Sequence, residues 1–89
     1  MPTLHMEGGY TFTMVMGDCD ERRHAHVKGN GRGGAKFWLE PEIEVVSAGG
    51  YNQHAVDRIT KIIRARRTVM VRKWDEECAR VAAARDAAR

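Results

Sequence analysis

The chain has 89 residues, 43% of them hydrophobic and 30% charged, with a formal net charge of +3. That balance excludes a disordered tail, and no apolar run approaches the roughly 18 residues a membrane span needs. A chain this short buries only about 60–65% of its unfolded surface, so one domain over 1–89 is expected, and a second copy or a partner would help complete its core.

Charge is unevenly placed. Residues 1–51 carry Arg22, Arg23, Lys28, Arg32 and Lys36 against Glu7, Asp18, Asp20, Glu21, Glu40, Glu42 and Glu44. Residues 58–73 carry Arg58, Lys61, Arg64, Arg66, Arg67, Arg72 and Lys73 and no acid. The basic character therefore belongs to one element, which suits an anionic partner.

The opening Met1-Pro2-Thr3-Leu4-His5 has neither a basic n-region nor an apolar h-region, so no secretory signal is expected. Gly8-Gly9 then punctuates the chain. Tyr10 to Met16 alternates aromatic or Met residues with smaller sheet formers and predicts a first strand. Gly17 to Glu21 reads as a turn, and His24 to Lys28 as a second strand. Gly29 to Gly34 lies between strands, so it reads as a hairpin connection; a phosphate-binding fingerprint belongs between a strand and a helix. Ala35 to Leu39 predicts a third strand, ended by Glu40-Pro41. Ile43 to Val46 predicts a fourth, stopped by Ala48-Gly49-Gly50. Short strands with tight connections imply an antiparallel meander.

The period then changes. Asn52 is a plausible N-cap, and Val56, Ile59, Ile63, Met70, Trp74 and Val81 recur at helical intervals. A helix over about 53–85 would be roughly 50 Å long, more than a small sheet can cover, so a break near Arg67-Thr68 is credible. The Ala-rich tail has helix propensity but little to bury, and would fray or dock on a partner. The fold expected is α+β: an antiparallel sheet of three to four strands over about 10–47, then one long or two consecutive helices.

In a strand, residues two apart share a face about 6.5–7 Å apart. His24 and His26 therefore project together, while Ala25 and Val27 face a core. Two such rings suit proton transfer, anion binding or metal ligation. Asp18, Asp20 or Cys19 in the preceding turn could supply a third ligand, but no Cys-x-x-Cys or second His pair accompanies them, and neither a metal nor another cofactor is expected. His5 and His54 read as isolated surface residues. Cys19 and Cys78 are far apart in different elements, so two reduced thiols in a cytoplasm are expected rather than a disulfide. Trp38 lies opposite Phe37 on its strand. Either the sheet is covered on both faces or Trp38 is an exposed partner anchor.

The opening Met1-Pro2-Thr3-Leu4, Gly9, Asp18, His24-Ala25-His26-Val27, Ala35-Lys36-Phe37-Trp38-Leu39 and the helix carrying Trp74 together resemble a family of small bacterial proteins known only as domain of unknown function 4160. The resemblance spans nearly all of residues 1–76. The family typically has a histidine after the Asp and two prolines before the His pair. Cys19 and Arg22-Arg23 stand there instead, so a site using that third histidine is not expected. Family members look like the toxin-side partner of two-gene toxin–antitoxin-like modules. The resemblance thus implies a cytoplasmic bacterial or phage-borne protein with a protein partner.

The leading expectation is an interaction module of such a toxin–antitoxin-like or phage–host conflict pair. It would bind a protein partner or nucleic acid through Trp38 and the basic residues Arg58, Lys61, Arg64, Arg66, Arg67 and Arg72. The alternative is a metal-independent ribonuclease with His24 and His26 as general base and acid, and Lys28 or Arg23 stabilising the developing charge.

Overall fold

The computed structural model describes residues 2–87. Five antiparallel strands, in chain order across the sheet, are followed by one helix. The strands are β1 (Thr3–Glu7), β2 (Tyr10–Thr13), β3 (His24–Gly29), β4 (Arg32–Trp38) and β5 (Glu44–Ser47), and the helix is α1 (Gln53–Ala87). A short 3-10 turn, Met16–Asp18, lies between β2 and β3.

The sheet has one strand more than the sequence reading. β1 was hidden because Gly8-Gly9 reads as punctuation, whereas it is a two-residue hairpin turn. Both glycines have positive φ, 64° and 85°, which places Glu7 opposite Tyr10. Such a turn matches the strand twist and favours glycine for that reason. Asn30-Gly31 repeats the device between β3 and β4, with φ of 52° and 79°. β4 therefore starts at Arg32, inside the stretch expected to be loop, and β2 stops at Thr13, short of Met16.

Register explains the core. Phe12 pairs with Val27, Val27 with Ala35, and Ala25 with Phe37. All five are buried, together with Val56, Ile59, Ile63, Met70 and Trp74 of the helix. Each fully buried Ile or Phe contributes about 1.5–3 kcal/mol. β5 is the exception: all four of its residues are exposed, Val45 and Val46 by nearly half.

The helix begins as expected. Asn52 Oδ1 accepts the Ala55 amide at 2.9 Å, a side-chain N-cap. It then runs unbroken for 35 residues, without the break near Arg67. Neither Gly nor Pro occurs after Gly50 to interrupt it. Arg66 and Arg67 leave the apolar stripe intact by turning to opposite flanks. Arg66 Nε donates to Glu7 of β1 at 3.1 Å, and Arg67 donates to the Pro41 carbonyl at 3.2 Å. Hydrogen bonds from His5 and from Arg66 hold the Glu7 carboxyl below its ordinary value. Beyond the sheet, α1 is held by Cys78, which is disulfide-bonded to Cys19 after the 3-10 turn, with Cα atoms 5.7 Å apart. This corrects the expectation of two free thiols. Their separation of 59 residues conceals that the turn and the far end of the helix meet. No described helix is long and apolar enough to cross a membrane.

Candidate functional site

β3 places His24 and His26 on one face, opposite Trp38 and Lys36 of β4. The 3-10 turn brings Asp18 to them. Its amide donates to the Val15 carbonyl at 2.9 Å, and the disulfide at the next residue ties the turn to α1. The helix adds Trp74, whose ring centroid lies 4.9 Å from that of His24. Four separate stretches of chain thus meet around one imidazole.

His24 is fully buried. Trp38 stands edge-on to it at 5.8 Å and His26 at 5.0 Å. Its Nδ1 lies 2.8 Å from the Arg22 carbonyl, which can only accept, so Nδ1 carries a hydrogen. Its Nε2 lies 3.0 Å from Asp18 Oδ2, and His26 Nε2 lies 3.4 Å from the same oxygen. The three groups each offer an atom within 4.8 Å of the others. Burial pushes the Asp18 carboxyl up. The combined hydrogen bonds from His24, His26 and Glu21, with the His24 charge, outweigh it and hold the group below its usual range. Solvent reaches the cluster from the His26 side, where that side chain is 35% exposed.

Of the three turn residues considered as a third ligand, Asp18 is the one that reaches the histidines. Cys19 is bonded to Cys78, and Asp20 has no contact with either ring. The two-histidine acid–base arrangement meets an obstacle here: His24 is enclosed, and both rings address one carboxylate oxygen rather than two sides of an open space. Arg23 is engaged with Asp75 at 2.8 Å and Glu40 at 3.4 Å, while Lys28 is exposed on β3. His5 is bonded to Glu7 at 2.8 Å, and His54 is exposed at the start of α1.

Trp38 is half-buried rather than open. The Arg22 guanidinium lies 4.7 Å from its ring centroid and the Lys36 ammonium 4.8 Å away. Cations from the same surface therefore cover it, a solution the sequence reading did not weigh. The basic residues divide. Arg66 and Arg67 are spent on β1 and on the Pro41 carbonyl. Arg58, Lys61, Arg64 and Arg72 are exposed and form no ion pair among the described residues, although the Arg58 guanidinium lies 5.9 Å over the Tyr10 ring.

The enclosure of His24 and the selection of Asp18 were missed by sequence reasoning. The available signal was Trp74 on the apolar stripe, a large aromatic at a core-facing position of the helix. No curated protein and no solved structure matches the chain. Residues 9–75, which include β2 to β5, the aspartate–histidine cluster and the helix through Trp74, match one family, and the chain belongs to it: Domain of unknown function (DUF4160).

Proposed function

We propose that this protein is an interaction module of a two-gene toxin–antitoxin-like or phage–host conflict pair, and that it binds nucleic acid through the outer face of α1. The observation that carries this reading is the unneutralised set Arg58, Lys61, Arg64 and Arg72. Five other bases are paired with acids: Arg66 with Glu7, Arg23 with Glu40 and Asp75, Lys36 with Glu21, and Lys73 and Arg80 with Glu77. Between Gln53 and Trp74 the single acid is Asp57. A row of exposed cations with free donors contacts phosphates without reading sequence, and its affinity falls with salt as counterions are released.

Fluorescence anisotropy with a single-stranded RNA and a duplex DNA, at stepped salt concentrations, tests the reading. The logarithm of affinity should fall linearly with that of salt. Lys61→Glu with Arg72→Glu should weaken binding to all sequences alike, and removing one phosphate contact should lower the slope by about 1. Absence of binding at low salt would overturn the nucleic-acid reading and leave an acidic protein as the partner. A cytoplasmic setting belongs to the same proposal. There the Cys19–Cys78 bond is open to reduction, and alkylating thiols in intact host cells reads which state is present.

A further inference from the structure

We propose that Asp18, His24 and His26 form a binding site for one divalent transition-metal ion of the zinc type, with a carboxylate oxygen and two imidazole Nε2 atoms as ligands and a further position open to water. The inference is independent of nucleic-acid binding by α1.

His24 Nδ1 donates to the Arg22 carbonyl at 2.8 Å. With that bond holding the Nδ1 side of the ring, His24 presents Nε2 to Asp18 Oδ2 at 3.0 Å. A carboxylate oxygen and an imidazole nitrogen thus face each other beside the Trp38 and Trp74 rings. A third atom, His26 Nε2, is also aimed at the same oxygen, at 3.4 Å. Three donor atoms converging on one point is the arrangement a metal ion uses.

The spacing to Asp18 agrees. Ligand atoms held about 2.0–2.1 Å from one tetrahedral zinc stand about 3.3 Å from each other; the two separations to Asp18 are 3.0 and 3.4 Å, and all three ligand atoms lie within 4.8 Å of one another. An imidazole that donates its other ring N–H to a backbone carbonyl is the usual outer support of a metal-bound histidine. Two imidazoles with one carboxylate favour zinc and its neighbours in the first transition row over magnesium or calcium, which take oxygen ligands. Three protein ligands leave a coordination position free, as sites that bind and activate water do. That position faces solvent beside His26, which is 35% exposed.

The cradle is also held in place. Trp38 and Trp74 fix the His24 ring from two elements. The disulfide beside Asp18 and the hydrogen bond from its amide to Val15 fix the carboxylate. Little ordering is left for the ion to impose.

The test is titration of the full, oxidised, chelator-treated chain with Zn2+ by calorimetry at neutral pH, repeated with Co2+ and read by visible absorption. One Zn2+ per chain should bind and raise the melting temperature. The Co2+ spectrum should carry the intense visible bands of a low-coordinate nitrogen and oxygen site. Because His24 is buried and its replacement risks unfolding, the variants are His26→Ala and Asp18→Asn, with circular dichroism confirming the fold. Each should weaken Zn2+ by at least about 100-fold, the upper end of what outer-support changes alone cost. An inert wild-type chain would overturn the proposal and leave a proton between Asp18 and the rings. Binding that survives both substitutions would overturn it too, by placing the ion elsewhere.

Discussion

The hydroxyl of Tyr51 donates to two carbonyl oxygens at the base of the Asn30-Gly31 hairpin, Gly29 at 2.8 Å and Arg32 at 3.2 Å. It thereby fastens the entry of α1 to β3 and β4. Burial, and then the neighbouring Tyr10, push the phenol above its ordinary value of 10.0. Because the folded pKa is the higher one, its contribution to stability is fully present below pH 10. It is lost as pH rises through the folded pKa, since the unfolded chain ionises first. Tyr51→Phe should therefore cost about 1–2 kcal/mol at neutral pH. Urea unfolding should show that cost shrinking above pH 10, where the wild type weakens more steeply than the variant. At this scale the sequence is partly readable. The shared face of His24 and His26 follows from the two-residue period of a strand. The choice of Asp18 over Asp20 and Cys19 does not, because it depends on how a three-residue turn is pinned by a cysteine in another element.

Among the elements, the 3-10 turn and α1 depend on each other most. The turn buries no residue of its own, and α1 runs on past the sheet. The Cys19–Cys78 bond closes a loop of 59 residues between them. The chain-entropy estimate for a loop of that length is about 4 kcal/mol, through restriction of the unfolded state. Cys19→Ser with Cys78→Ser should lower the urea midpoint accordingly, and reductant should lower the wild-type midpoint by a similar amount while leaving the variant unmoved. The strands over 10–47 and the Asn52 cap were legible from alternation, turn residues and capping chemistry. The first strand was not, since Thr3 to Glu7 offers Leu4 alone to the core. The continuity of the helix was hidden as well: Arg66-Arg67 reads as an interruption until each arginine is seen to reach a partner on its own flank.

Across the whole molecule every strand pairs with its neighbour in the chain, which is why a meander could be inferred from turn spacing alone. The same order has a consequence in time. The sheet is finished at Ser47, but the residues that cover its apolar face run from Val56 to Trp74 of the helix. Trp74 lies 27 positions after Ser47 (74 − 47), and at roughly 5–20 residues per second that interval lasts about 1–5 seconds. For that period Phe12, Phe37 and Leu39, all fully buried in the finished protein, have no partner on α1. Slowing translation over residues 48–74 with synonymous rare codons should raise the fraction of newly made chain that sediments. The same substitution over residues 10–40, before the sheet exists, should leave that fraction unchanged, so the hazard of this fold is set by the pace at which its last element is made.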